Sequence, residues 1–145
     1  MESLIVPGNL DSLNAIRHYV IEAAAQVGLD KKVTYRLQLA VDEIATNIIV
    51  HGYEQAGKTG TVTVQAEIDP ETLTITLEDT SAPFDPRPLE RPDHINKPIK
   101  ERPIGGLGVY LAMENVDEFD YEYVDHRNRN IFIIKRPLND ASKPG

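Results

Sequence analysis

In the first fifty positions, apolar residues recur every three or four residues, apart from one short apolar segment at the start. That segment is Ser3–Val6, and the Pro-Gly pair after it predicts an edge strand that ends in a turn. Asn9 or Asp11 can then cap a helix that runs to about Val27, with Gly28 suited to its C-terminal cap. The apolar face of this helix comprises Leu13, Ile16, Val20 and Ala24.

A second helix is predicted from Asp30 to about His51, because its apolar residues follow a clear 3.6-residue period. Its apolar stripe comprises Leu37, Val41, Ile44 and Ile48. We expect Gly52 to end it.

The pattern then changes to strict alternation of apolar and polar residues, which is typical of half-buried strands. The alternating apolar positions are Val62, Val64, Ala66 and Ile68, followed by Leu73, Ile75 and Leu77. Asp69–Glu71 separates the two runs, so this region is predicted to form a β-hairpin.

The last third of the chain begins with an irregular segment. Pro83–Pro103 holds six of the ten prolines and few apolar residues, which predicts a long loop. After it, the pattern predicts a short helix over Val109–Val116 and a strand over Phe119–Tyr123. His126–Asn130 is interpreted as a polar turn and Ile131–Ile134 as a last, fully apolar strand.

Together these elements predict one domain over residues 1–145. Two helices next to a set of hairpin-connected strands indicate the α+β class. We expect a two-layer α/β sandwich, with the helices on one face of a mainly antiparallel sheet.

Charge and composition narrow the possible functions. The net charge of −8 argues against direct nucleic-acid binding, because contacts to phosphate backbones need clustered Lys and Arg. The chain has no cysteine, which excludes disulfides and thiolate chemistry and fits a cytoplasmic location. No apolar run approaches the roughly 20 residues of a membrane span, so no membrane contact is expected.

The first candidate for chemistry is the pair Glu43 and Asn47 on the second predicted helix. A spacing of four residues places both side chains on one face, about one turn apart. An amide oxygen suits Mg²⁺ and a carboxylate can take a proton from an attacking hydroxyl. Taken alone, the pair is more typical of a solvated helix face.

The second candidate is Asp79, at the end of a predicted strand. A carboxylate there can accept a hydrogen bond from an exocyclic amine such as that of adenine. An aspartate that begins a turn is the common alternative.

The third candidate is the cluster Gly105-Gly106-Leu107-Gly108 before a predicted helix. Glycines allow the backbone to approach an anion, and a helix N-terminus offers unpaired N–H groups to phosphate. A plain turn would explain the glycines as well.

The three segments in this order resemble the N, G1 and G2 boxes of the GHKL superfamily of ATPases and kinases. Within it the chain is most similar to the anti-sigma factor serine kinases, on the phrase Asp42–Asn47 with His51, on Pro83–Pro86 after Asp79, and on the ending Asn130–Arg136. The resemblance covers essentially the whole chain.

The resemblance implies a role for each matching residue. Glu43 would be the general base that activates a substrate serine, Asn47 the Mg²⁺ ligand, and Asp79 the partner of the adenine amine of ATP. The loop at about 83–104 would be the ATP lid. The remaining implied nucleotide contacts are Ser81, Phe84, Gly105, Gly106, Leu107, Gly108 and Val109.

The resemblance also implies partners. Kinases of this kind phosphorylate a serine on an anti-sigma factor antagonist of the STAS type, bind a sigma factor and commonly form homodimers.

Ser81 stands where the G1 box usually has glycine, and a serine there lacks the freedom of positive φ and takes space near the adenine. A non-catalytic interaction module of the same fold is therefore the alternative hypothesis.

Other polar and aromatic residues are assigned no chemistry. His18, His94 and His126 lack metal-ligand spacing. Tyr121 and Tyr123 are interpreted as sheet packing rather than as a stacking platform.

Overall fold

The computed structural model describes residues 1–86 and 113–137. Within them the strands form one five-stranded sheet in the order β1-β2-β3-β5-β4, and every neighbouring pair is antiparallel. The strands are β1 Leu4–Pro7, β2 Thr61–Ile68, β3 Thr72–Asp79, β4 Glu118–Val124 and β5 Arg127–Lys135. The predicted α+β class and two-layer architecture are confirmed, and β1 is an edge strand as expected.

Two helices, α1 (Leu13–Gln26) and α2 (Lys31–Asn47), pack on one face of this sheet. The Asp30 side chain caps α2 by accepting a hydrogen bond from the Val33 N–H at 2.8 Å. Gly28 follows α1 at φ 74°, the left-handed conformation that favours glycine. None of the helices in the described part of the chain has the length and apolar character needed to cross a bilayer.

The start of α1 differs from the prediction. A 3₁₀ turn, Leu10–Ser12, precedes the helix, and neither Asn9 nor Asp11 provides a side-chain cap. Ser12 ends that turn, and its buried hydroxyl donates instead to the carbonyl oxygen of Pro7 at 2.7 Å. The helix start is therefore fixed to the end of β1 rather than by a capping side chain.

Beyond Asn47 the helix does not stop at Gly52 but continues as a π-helical turn, Ile48–Glu54. Backbone N–H groups reach carbonyls five residues earlier, at 2.9 Å for the pair Lys58 and Tyr53. The prediction that Gly52 ends the helix is therefore wrong.

Tyr53 on this π-helical turn is fully buried and joins it to two strand ends. Its hydroxyl donates to the Thr61 carbonyl at 2.8 Å and accepts from the Thr80 N–H at 2.8 Å. A Cβ at Gly8 or Gly60 would come within 2.5 or 2.6 Å of the Tyr53 ring. The absence of side chains at Gly8 and Gly60 thus makes room for the Tyr53 ring, whose hydroxyl binds the backbone of Thr80.

The core lies between the helices and the inward face of the sheet. Fully buried inward-facing residues of the sheet include Val62, Val64, Leu73, Ile75, Leu77 and Phe132. On β3 this row ends in Asp79, and on β5 it continues from Phe132 to Asn130 and Asn128, which pair directly with Leu77 and Asp79. One end of the core row is therefore made of buried polar side chains.

The connection between β4 and β5 is shorter than predicted. Asp125 and His126 form a tight turn with φ values of 53° and 63°, and β5 already begins at Arg127. The prediction of a polar turn over His126–Asn130 is wrong because its asparagines are strand residues that face inward.

Candidate functional site

A cavity of about 370 Å³ lies over the C-terminal end of α2, where the polar end of the core row is located. Its lining includes Asn47, Asp79, Ser81 and Phe84, four of the residues that the sequence nominated. The other lining residues are Ile44, Ile48, His51, Gly52, Ala56, Ala82, Pro83, Pro86, Asn128 and Asn130. The cavity thus combines apolar walls with a few polar groups, the usual composition of a small-molecule site.

Asp79 is the last residue of β3 and is only 3% exposed. Its Oδ1 atom accepts three hydrogen bonds, from the Ser81 N–H at 3.0 Å, the Ser81 hydroxyl at 2.5 Å and the Asn128 amide at 3.0 Å. Its Oδ2 atom makes no hydrogen bond with the described residues. Among the described residues, the carboxylate is therefore held through Oδ1.

Ser81 adopts a backbone conformation that does not require glycine. In the described residues, Asp125 and His126 are the non-glycine residues at positive φ, and Ser81 is not one of them. Its buried side chain lies between Asp79 and Gly52, where a Cβ at Gly52 would be 2.8 Å from the Ser81 Oγ. Ser81 therefore fits this position without the conformational freedom of glycine, and its side chain lines the cavity.

Asn128 was not identified from the sequence, although it is 2% exposed and central to the site. Its Nδ2 group donates to Asp79 and lies 3.1 and 3.2 Å from the carbonyl oxygens of Ser81 and Ala82. The signal that could have found it is the alternation along β5, since Asn128 and Asn130 occupy the same phase as the buried Phe132.

Tyr121 contributes from the neighbouring strand. Its ring is buried in the sheet, as predicted, and its hydroxyl donates a short hydrogen bond to Oδ1 of Asn128. The same oxygen accepts the Phe84 N–H at 3.1 Å. Burial raises the pKa of Tyr121, and the carboxylates of Asp85 and Asp79 raise it further, so the hydroxyl stays protonated at neutral pH.

Of the two residues predicted on α2, only one lines the cavity. Asn47, the last residue of α2, lines it, whereas Glu43, one turn earlier, is exposed and is not a lining residue. The adjacent Asp42 forms an ion pair with Arg17 at 3.0 Å. His51 lines the cavity and its Nδ1 lies 2.7 Å from the side-chain oxygen of Gln55.

Several predicted elements lie outside the described residues. These are Gly105, Gly106, Leu107, Gly108 and Val109, His94, and the predicted lid from residue 87 onward. The first residues of that predicted lid, Pro83–Pro86, are described and adjoin Asn128 through the Phe84 N–H. Within the described ranges, no three His, Cys, Asp or Glu side chains are grouped to hold a metal ion.

The sequence matches known proteins over most of its length. The model of the histidine kinase-like ATPase domain family matches residues 6–134. The serine-protein kinase RsbW of Bacillus cereus is 28% identical over 116 residues, which cover 78% of this chain and 71% of that protein. RsbW of Bacillus mycoides is 27% identical over the same shares of both chains.

Solved structures show the same fold. The RsbU and RsbW domains of a Mycobacterium tuberculosis protein match with a TM-score of 0.62 at 15% identity, over 96% of this chain and 34% of that one. The histidine kinase domain of a blue-light activated histidine kinase from Erythrobacter litoralis matches with a TM-score of 0.50 at 18% identity, over 90% and 61%. This chain therefore spans about a third and three-fifths of those two proteins.

The family model, the relatives and the shared fold agree with one another. The resemblance to the GHKL superfamily is confirmed, and the chain belongs to the histidine kinase-like ATPase domain family.

Proposed function

We propose that this protein binds Mg-ATP in the cavity at the end of α2 and acts as a serine kinase of the anti-sigma-factor type. The observation that carries the proposal is Asp79, a buried carboxylate at the polar end of an otherwise apolar cavity, whose Oδ2 atom makes no hydrogen bond with the described residues. The 6-amino group of adenine is a donor that this oxygen can accept. The apolar walls, including Ile44, Ile48 and Phe84, suit the faces of a purine.

Asn47 is the proposed metal ligand. It lies at the C-terminal end of α2, on the lining of the cavity, and its amide oxygen is a hard ligand of the kind that Mg²⁺ prefers. Mg²⁺ is commonly held by one or two protein oxygens together with substrate phosphates, so a single side chain is a sufficient protein contribution. When bound, the metal would neutralise charge on the phosphates. Gly105–Gly108 would wrap those phosphates.

The proposed reaction transfers the γ-phosphoryl group. The oxygen of a substrate serine attacks the γ-phosphorus, the bond to the β–γ bridging oxygen breaks, and ADP leaves. Glu43 takes the serine proton. Its exposed position, one turn from Asn47, fits a base that meets a protein substrate at the cavity mouth rather than within the cavity.

The proposed partners follow from the relatives, which are named serine-protein kinases. The substrate would be a STAS-type anti-sigma factor antagonist, with a sigma factor as a second partner and a homodimer as the proposed assembly. An ATP-dependent switch of this kind would act in the cytoplasm, which the cysteine-free sequence also favours.

Calorimetric titration with ATP, with and without Mg²⁺, tests the binding step. We expect binding that depends on Mg²⁺, weakens with Asn47→Ala and is lost with Asp79→Asn. Transfer from radiolabelled ATP to a purified antagonist tests the kinase step, which Glu43→Gln should abolish while ATP binding persists. Glu22→Gln, an exposed carboxylate on the neighbouring helix, is the matched control. Transfer that survives Glu43→Gln would show that another group is the base.

A non-catalytic module is the second candidate, and Ser81 favours it, because its side chain lines the cavity at the position where the G1 box usually has glycine. In that case the protein would bind its partner stoichiometrically. Partner binding that ignores both ATP and Asn47→Ala, with no labelled product, would support this candidate over the kinase.

A further inference from the structure

The Asn128 side chain holds three parts of the site together. Its amide nitrogen binds Asp79 at the end of β3 and the carbonyls of the segment that follows, and its oxygen binds the Phe84 N–H and the Tyr121 hydroxyl of β4. A buried amide needs such partners, because an unmet donor or acceptor is costly. Here the Asn128 nitrogen faces acceptors and the Asn128 oxygen faces donors.

The orientation of this amide is determined by its neighbours. The Phe84 N–H can only donate, so it requires the Asn128 oxygen on its side, and the protonated Tyr121 hydroxyl donates to the same oxygen. Asp79 and two backbone carbonyls can only accept, so they require the Asn128 nitrogen. A flipped amide would place like groups against each other on both sides.

We infer that Asn128, oriented by Tyr121, is a positioning residue that fixes Asp79 for recognition of the nucleobase. The Asn128 amide occupies Oδ1 of Asp79 together with Ser81, so Oδ2 is the oxygen assigned here to the exocyclic amine of the base. The inference rests on the proposed function and deepens it, since it names the residues that give the site its preference for a base bearing an exocyclic amine.

The preference can be measured apart from overall affinity. Purine riboside 5′-triphosphate has the ring, sugar and phosphates of ATP but lacks the 6-amino group. A hydrogen bond to a charged acceptor corresponds to roughly a ten- to hundredfold difference in affinity. We expect wild-type protein to bind ATP more tightly than the analogue by a ratio in that range.

The test is calorimetric titration of the full chain with both nucleotides in the presence of Mg²⁺. Asn128→Ala should lose most of the ratio, because ATP binding falls much more than analogue binding. Tyr121→Phe removes one oxygen and should lower the ratio by roughly two- to tenfold. The matched control is Tyr123→Phe on the same strand, where the ring is 41% exposed, and its ratio should equal that of the wild type.

Each outcome decides between distinct claims. A wild-type protein that binds ATP and the analogue equally would overturn base recognition by Asp79, and with it the present inference. If the wild type prefers ATP but the variants lose affinity for both nucleotides equally, the proposed function stands and the positioning role of Asn128 is refuted. Should Asn128→Ala fail to fold, the comparison of Tyr121→Phe with Tyr123→Phe still decides the matter.

Discussion

Replacing Gly52 with alanine probes the tightest contact between the π-helical turn and the site. A Cβ there would lie 2.8 Å from the Oγ atom of Ser81 and 3.0 Å from its Cβ, whereas ordinary contacts between carbon atoms are about 3.5–4.0 Å. To make room, the Ser81 hydroxyl must turn away from Asp79. We therefore expect Gly52→Ala to disturb stability and site together.

The magnitude follows from two opposing effects. Alanine in place of glycine favours a helical conformation by about 1 kcal/mol. When the Ser81 hydroxyl turns away the crowding is relieved, but loss of its hydrogen bond to a charged Asp79 costs about 1.5–3 kcal/mol. Gly52→Ala should therefore lower the free energy of unfolding by about 0.5–2 kcal/mol.

Ser81→Gly removes the atoms that the new methyl group would meet. In the Ser81→Gly background, Gly52→Ala should raise the free energy of unfolding by up to about 1 kcal/mol, because only the helical preference remains. Gly52→Ala thus lowers the free energy of unfolding when residue 81 is serine and raises it when residue 81 is glycine. The resulting coupling of about 1.5–3 kcal/mol is within the range found for residues in contact.

The measurement is urea unfolding, followed by circular dichroism, of the wild type, Gly52→Ala, Ser81→Gly and the double variant. The slopes with urea should be equal, so that midpoints report stability. Additive effects, within about 0.5 kcal/mol, would refute the reasoning that Gly52 is small because Ser81 is present.

Three further changes test other parts of the fold. Tyr19→Phe leaves the buried N–H of Ala66 without the tyrosine oxygen that it meets at 2.9 Å, and should lower the free energy of unfolding in urea by about 1–3 kcal/mol. Asp125→Asn combined with His126→Gly suits a turn with two positive φ values and should raise the thermal midpoint by stabilising the fold by about 1 kcal/mol. Two backbone N–H groups and a threonine hydroxyl lower the pKa of Asp69, so its stabilising effect is present at neutral pH and is lost as pH falls below its ordinary value of 3.8. The difference in unfolding free energy between wild type and Asp69→Asn should shrink in acid, and a constant difference from pH 7 to about pH 2.5 would contradict this.

The alternation and the helical period were sufficient to predict the two layers and to locate Asp79 and Asn47. Both signals are local, since a carboxylate at a strand end and an amide on a helix face can be recognised within a few residues. Asn128 required more, because Asp79 and the segment after it lie more than forty residues away and come into reach only through the pairing of β3 with β5. From the sequence alone, the polar segment His126–Asn130 that contains Asn128 therefore indicates a turn.

The end of α2 shows the same limit. Helical spacing places Glu43 and Asn47 one turn apart, but it does not show how far along the helix the cavity extends. The cavity lies over the C-terminal end of α2 and the π-helical turn, so it reaches Asn47 and not Glu43. That continuation past Gly52 depends on the packing of Tyr53 and Ser81, which is tertiary information.

The row of buried side chains on the sheet runs from the core into the lining of the cavity, so a ligand bound there would stabilise the folded chain. Leu77 and Phe132 are core residues, and the side chains that follow them in the same rows, Asp79 and Asn130, line the cavity. A ligand bound only by the folded chain at a hundred times its dissociation constant adds about 2.7 kcal/mol to the free energy of unfolding. For a chain of 145 residues, that raises the melting temperature by several degrees. The melting temperature of this domain should therefore depend on the concentration of the nucleotide around it.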